Sequence, residues 1–167
     1  MKSNDKNIDQ IFNKLIYLTY EEFVDYLLNN KFNIEKQNCQ GETILHLCCL
    51  HGFIEKFYTL VYMGAKTDIT NKQGQNILHY SCMGSKDLYL TQEIAKNHIS
   101  ALKVDYDGNT PMHYCDNEKD IIYFYNWSQI NQINLKSIVN HKGENIYDFA
   151  EKRKYKNTLL WKEIINE

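Results

Sequence analysis

Residues 38–68 run Asn38-Cys-Gln-Gly41-Glu-Thr-Ile-Leu-His46-Leu-Cys-Cys-Leu-His51-Gly-Phe53 and continue to Met63-Gly-Ala-Lys-Thr-Asp68. The heart of this stretch, Gly41-Glu-Thr-Ile-Leu-His46, returns as Gly74-Gln-Asn-Ile-Leu-His79 and as Gly108-Asn-Thr-Pro-Met-His113. A weaker copy, Gly143-Glu-Asn-Ile-Tyr-Asp148, carries aspartate in the histidine slot. The four glycines stand 33, 34 and 35 residues apart, and Asn38, Asn71, Asp105 and Asn140 open each turn. A repeat of this length is one supersecondary unit that buries its apolar face only by stacking on its neighbours.

A period near 33 residues carrying a Thr-Pro-Leu-His-like tetrapeptide resembles the ankyrin repeat. The resemblance reaches nearly end to end. It implies an all-α solenoid of helix-turn-helix units joined by β-hairpin-like turns, about five units including both caps. Residues 1–7 are read as a flexible N-terminus and residues 8–167 as one domain. Within it, 8–37 is a degenerate N-cap repeat, 38–70, 71–104 and 105–139 are internal repeats, and 140–167 is the C-cap repeat.

Within the units, apolar spacing places helices. Ile8, Ile11, Phe12, Leu15 and Ile16 predict a first helix over 8–18, and Thr19 can cap a second with Glu21 and Glu22 in its first turn. In the best repeat Thr43 caps a helix ending at His51-Gly52, and a second helix runs from Ile54 to Tyr62. In the next, Asn76 replaces the capping threonine and a helix is expected over about 87–96. Pro111 sits in a first helical turn, where its missing N–H costs nothing. Ile121, Ile122, Phe124 and Tyr125 mark a helix, Ser128 to Lys136 reads as a longer loop, and a last helix is expected from Asn157.

Composition limits function. The 167 residues are 43% hydrophobic with a net charge of −2, which argues against a polyanion binder. No apolar run of about 18 residues exists to span a membrane, and the polar N-terminus lacks a signal-peptide core. Five cysteines, at 39, 48, 49, 82 and 115, fit reduced thiols that pack as small hydrophobes in a cytoplasmic or nuclear protein. Sparse proline with abundant Asn, Lys, Ile and Tyr points to an AT-rich coding genome.

His46, Cys48, Cys49 and His51 imitate a metal cluster, but zinc needs ligand pairs converging from separated segments. His79 with Cys82 and His113 with Cys115 imitate a cysteine nucleophile and base. They recur with the repeat, whereas a catalytic pair should occur once and be oriented by a third group. No metal, cofactor or catalytic residue is expected.

The resemblance instead implies a surface that binds another protein, as an adaptor, scaffold or inhibitor. In the family, partners meet the turn tips and the concave side of the first helices. The matching tips are Gln40, Glu42, Lys72, Gln73, Gln75, Tyr106, Asp107 and Asn109; the matching concave positions are Leu47, Leu50, His51, Tyr80, Met83, Tyr114 and Asn117. Leu47, Tyr80 and Tyr114 should align as an apolar, aromatic stripe beside Leu50 and Met83, with a gap at Gly84. Two readings of the stripe stand: anchors for a partner, or packing against the neighbouring helix. No Lys/Arg stripe accompanies the tyrosines, so nucleic acid is not the expected partner. A monomer is expected. Two alternatives remain: a viral, parasite or bacterial effector mimicking a host ankyrin protein, or a regulatory subunit positioning a catalytic partner.

Overall fold

The computed structural model describes residues 3–84, 87–97 and 99–152, with side chains from residue 8 onward. Eight α-helices follow one another among the described residues: α1 (Ser3–Tyr17), α2 (Tyr20–Asn29), α3 (Ile44–His51), α4 (Ile54–Tyr62), α5 (Ile77–Gly84), α6 (Leu88–Asn97), α7 (Glu118–Ile130) and α8 (Ile146–Lys152). A 3₁₀ turn at Pro111–Tyr114 takes the place of a first helix in the third internal unit, and another spans Leu135–Ser137. α3 packs on α4 and α5 on α6 within their units, and the units stack, α3 against α5 most extensively and α2 against α4 beside them.

Each turn is built by its opening residue. Asn38 Oδ1 accepts from the backbone N–H of Gln40 at 3.0 Å and of Glu42 at 2.9 Å. Asn71, Asp105 and Asn140 accept from their own turns in the same way. This local side-chain bond substitutes for a backbone turn bond and explains why only Asn or Asp stands there. A hairpin bond closes each turn, as from Asn38 N–H to the Glu42 carbonyl at 2.9 Å and from Asn71 N–H to the Gln75 carbonyl at 2.8 Å. Gly41 has φ +80°, and a β-carbon there would lie 2.9 Å from the Lys72 nitrogen of the next turn. Only glycine allows both that backbone and that approach.

The helix starts obey the capping rules. Thr19 Oγ1 accepts from Glu22 N–H while Glu22 Oε2 accepts from Thr19 N–H, a capping box. In α3 the third helical residue is a histidine that plays the same part: His46 Nδ1 accepts from Thr43 N–H at 3.2 Å and lies 2.9 Å from Thr43 Oγ1. Thr110 and His113 repeat this geometry. The other ring nitrogen reaches across to the next turn, His79 Nε2 to the Asn109 carbonyl at 3.1 Å and His113 Nε2 to the Glu144 carbonyl at 3.2 Å. His46 Nε2 makes no bond of that geometry among the described residues, although the Gln75 backbone of the next turn still acts on the ring.

The core is one continuous apolar seam in which Phe12, Phe23, Phe57, Leu60, Leu78, Leu90 and Phe124 are fully enclosed. Cys48, Cys49, Cys82 and Cys115 are buried in it outside any disulfide, and burial pushes Cys48 up to about 12. Such thiols are inert packing groups. Lys56 is also buried: its ammonium donates to the carbonyls of Leu15, Ile16 and Leu18 at 3.3, 2.7 and 2.8 Å. It lies 5.1 Å from the Phe23 ring centroid and 4.7 Å from that of Phe53. A cation at a helix C-terminus satisfies the orphan carbonyls and the dipole together, so Lys56 fastens α4 to the end of α1.

Three local expectations change. The first helix begins at Ser3, not Ile8, so residues 3–7, expected as a flexible end, are helical. α7 continues through Ser128 to Ile130, where a loop was expected. No proline or glycine interrupts it before Gln132, whose φ of +57° turns the chain. The gap expected at Gly84 is filled: a β-carbon there would meet Leu50 Cδ1 at 2.8 Å, so the missing side chain lets α3 and α5 close up. The helix expected from Asn157 lies outside the described residues.

Candidate partner-binding surface

Successive turns are tied to one another by backbone bonds. Lys72 N–H donates to the Gln40 carbonyl at 2.9 Å, Tyr106 N–H to the Gln73 carbonyl at 3.0 Å and His141 N–H to the Asp107 carbonyl at 3.0 Å. Residues 32 to 34 apart in sequence thereby become a rigid row. The side chains of Gln40, Lys72, Gln73, Tyr106 and Asp107 are exposed along it. Tyr106 is 71% exposed although its ring lies over Gly74, where a β-carbon would stand 2.7 Å from Cδ1. Lys72 Nζ is drawn to the Cys39 carbonyl at 2.7 Å.

The remaining tip side chains serve the fold. Tyr80, only 6% exposed, donates its hydroxyl to Glu42 Oε1 at 2.5 Å and accepts from Asn71 Nδ2 at 2.9 Å. Its ring meets His46 edge-on, with centroids 5.0 Å apart. Tyr114 repeats this one unit later: it donates to Asp105 Oδ2 at 2.6 Å and accepts from Gln75 Nε2 at 3.0 Å and Asn109 Nδ2 at 3.1 Å. Asn109 is buried and also accepts from Asn140 Nδ2 at 2.9 Å. Of the two readings of the stripe, these contacts match packing: each tyrosine is a strut between one turn and the one before it.

The electrostatics follow from the burial. Desolvation and the neighbouring Glu42 carboxylate raise Tyr80, and burial with Asp105 raises Tyr114 to about 12. Burial alone would raise Asp105, but the Tyr114 hydroxyl and the turn amides of Asn109 and Asp107 outweigh it and hold the carboxyl below its ordinary value. Burial lowers both His46 and His79 to about 4, so these rings are neutral at neutral pH.

On the first helices, Leu47, Leu50 and Met83 are half-buried, Leu50 against Gly84. His51 is exposed where α3 meets α4, stacked on Phe53 with centroids 5.6 Å apart and 6.3 Å from Tyr17. Asn117 caps α7, accepting from Asp120 N–H at 2.9 Å and donating to its carboxylate at 2.6 Å. Asp120 is fully enclosed with Oδ1 unpartnered, and burial raises it to about 7. Among the described residues, no group of three or more His, Cys, Asp or Glu side chains is placed to hold a metal ion.

A further set of exposed side chains was not among the expected site residues. Tyr20, Tyr58, Tyr62 and Tyr89 stand on the second helices, away from the tips. Their signal was present in the sequence, because Phe57 and Leu60 fix the buried side of α4 and so turn Tyr58 and Tyr62 outward.

A rigid row of tips on a stack of helix pairs defines a solenoid whose exposed side chains come from successive units. A family model described as ankyrin repeats (many copies) matches residues 14–61. Notch-regulated ankyrin repeat-containing protein B of Danio rerio is 34% identical over 79 residues, covering 46% of this chain and 70% of that protein. Ankyrin repeat protein OPG189 of Variola virus is 27% identical over 113 residues, covering 62% of this chain and 20% of that protein. The human SMC5-SMC6 complex localization factor protein 1 is 29% identical over 84 residues, covering 50% of this chain and 8% of that protein. The chain thus spans a small fraction of the human and viral relatives. It belongs to the ankyrin-repeat family. Proteins of this family are protein–protein interaction modules and generally not enzymes.

Proposed function

We infer that this chain acts as an adaptor or inhibitor whose partner protein lies along the turn tips and reaches the adjoining first-helix positions. The observation that carries the reading is the backbone-tied row of tips. Gln40, Lys72, Gln73, Tyr106 and Asp107 project from a ladder already fixed by bonds between turns. A surface ordered before binding loses little conformational entropy on association. Tyr106 is the aromatic anchor of the row and Lys72 and Asp107 are its charges, the residue types that hot spots and register use. Leu47, Leu50 and Met83 add an apolar border. Tyr80 and Tyr114 act indirectly, by holding the tips in place. The human relative is named as a localization factor for a complex, which supports an adaptor.

Affinity capture from a lysate of the source organism tests this. Wild type is run beside a Gln73→Ala/Tyr106→Ala/Asp107→Ala variant with unchanged circular dichroism and melting. A protein retained by wild type and lost by the variant is the expected result. Equal capture by both would overturn the assignment to the tips.

A further inference from the structure

The second helices carry a surface that the tip reading leaves unused. The exposed residues Glu55, Tyr58 and Tyr62 recur at helical spacing on α4, opposite buried Phe57 and Leu60. The Tyr20 hydroxyl lies 3.0 Å from Thr59 Oγ1, bridging α2 to α4, and the Tyr58 hydroxyl lies 3.5 Å from that of Tyr89, bridging α4 to α6. The bond to Tyr89 chiefly raises the Tyr58 hydroxyl pKa, with burial and then Glu93 of α6 adding to it. These side chains therefore form one surface across three helices.

Its charge is one-sided. On α2, α4 and α6 the carboxylates are exposed Glu21, Asp25 and Glu55, half-buried Glu93 and Glu22 of the capping box, against Lys96 as the one exposed cation of these helices among the described residues. Lys56, the other cation of these helices, is turned inward and occupied by three carbonyls. Lys14 of α1 borders Glu22 and Asp25, and Lys119 of α7 borders Tyr89, so the unopposed carboxylates are those in the middle of the face, Glu21, Glu55 and Glu93.

The surface also has an anchor point. A cavity of about 420 Å³ opens beside Tyr20 and Glu55, walled by Ile16, Phe53, Ile54 and the inward-turned Lys56 and flanked by Tyr17, which is 79% exposed. With the Lys56 ammonium in its wall the cavity repels a second cation inside it, so a long cationic side chain packs its stem across the apolar mouth and keeps its head at the Glu55 rim. The Phe53 ring already faces Lys56 Nζ at 4.7 Å, so the incoming head would meet Glu55 and the tyrosines instead.

We propose that the outer faces of α2, α4 and α6 dock a Lys/Arg-rich segment of a partner protein, one cationic side chain lying over the mouth of the cavity beside Tyr20 with its head at Glu55. Carboxylates and tyrosine faces both attract guanidinium and ammonium groups, the carboxylates by charge-assisted bonds and the rings through their quadrupoles. This surface is separate from the turn tips, so it stands or falls independently of them.

The test is fluorescence anisotropy with a labelled peptide of alternating arginine and glycine, beside a matched peptide with glutamate for arginine. A Glu55→Gln/Glu93→Gln variant removes two charges from the face. An Asp116→Asn/Glu151→Gln control removes the same charge from exposed positions elsewhere, and Tyr58→Ala probes the rings; all are checked for folding by circular dichroism. The expected result is binding of the arginine peptide alone, weakened about tenfold by Glu55→Gln/Glu93→Gln. Tyr58→Ala should weaken it several-fold, and the control pair should leave it unchanged. Equal loss in the control pair, equal binding of the glutamate peptide, or no arginine-peptide binding up to about 1 mM would overturn it. So would a wild-type dimer in sedimentation that Tyr58→Ala dissolves, since a second copy would then own the face.

Discussion

Replacing Asn76 with threonine should stabilise the protein by about 1 kcal/mol. In α3 and in the 3₁₀ turn at Pro111, the capping residue is a threonine whose hydroxyl can donate to the histidine Nδ1. In α5 that position is Asn76, whose Oδ1 lies 2.9 Å from His79 Nδ1, while His79 Nε2 must donate to the Asn109 carbonyl. A neutral ring cannot donate from both nitrogens. Turning the amide over does not help, because Oδ1 also accepts from Leu78 N–H at 3.0 Å and His79 N–H at 3.2 Å, and an NH₂ there would face two donors. Meanwhile Nδ2 is buried without a partner. An unsatisfied buried group costs about 1–3 kcal/mol, and losing one capping bond returns about 1 of that. Urea denaturation measures the gain as a higher midpoint at unchanged slope, and a melt should rise by about 2–4 °C. The reverse substitution, Thr110→Asn, imports the conflict and should lose a similar amount. A neutral or destabilising Asn76→Thr together with a neutral Thr110→Asn would refute the reasoning.

Three other perturbations test the buried polar groups. His46 and His79 sit at about 4 in the folded protein, against about 6.5 unfolded, so the unfolded chain takes up protons first as pH falls. Stability present above pH 6.5 should therefore fall toward pH 4 by up to about 3 kcal/mol per histidine, visible in urea midpoints across that window; a flat profile would contradict it. Asp120 has the opposite sign: it titrates at about 7 folded against about 3.9 unfolded, so its stabilising share is present below the unfolded value and lost as pH rises through 7. Asp120→Asn should then gain stability at pH 8 and gain less at pH 5, and a pH-independent effect would count against the buried-charge explanation. Lys56→Met should cost about 2–3 kcal/mol, because the carbonyls of Leu15, Ile16 and Leu18 lose a charged donor. A change below about 0.5 kcal/mol in the urea midpoint would show the cap to be dispensable.

The repeat was legible because its chemistry is local. Asn38, Gly41, Thr43 and His46 form the turn and cap among themselves, so a short sequence motif carries the whole geometry. The roles of Tyr80, Tyr114 and Lys56 were not legible. The Tyr80 hydroxyl is held by Glu42, 38 positions away, that of Tyr114 by Gln75, 39 away, and Lys56 reaches the Ile16 carbonyl, 40 away. No periodicity argument contains those distances, so an aromatic at a repeat position reads equally as anchor or strut until the neighbouring turn is placed. Gly84 misled for the same reason: only the approach of Leu50 distinguishes a gap from a contact. Of the candidate site, the exposed Gln40, Lys72, Gln73, Tyr106 and Asp107 follow from turn geometry alone. Glu42, Gln75 and Asn109 are claimed by the inter-turn bonds.

The most direct measurement is site-specific photo-crosslinking in a lysate of the source organism. A benzophenone amino acid is placed singly at Gln73 or Tyr106 on the tips, and at Ile130, which is 81% exposed at the end of α7. Binding along the turn tips predicts one discrete partner protein crosslinked from both tip positions and not from Ile130. Crosslinking from Ile130 with none from either tip position would contradict it.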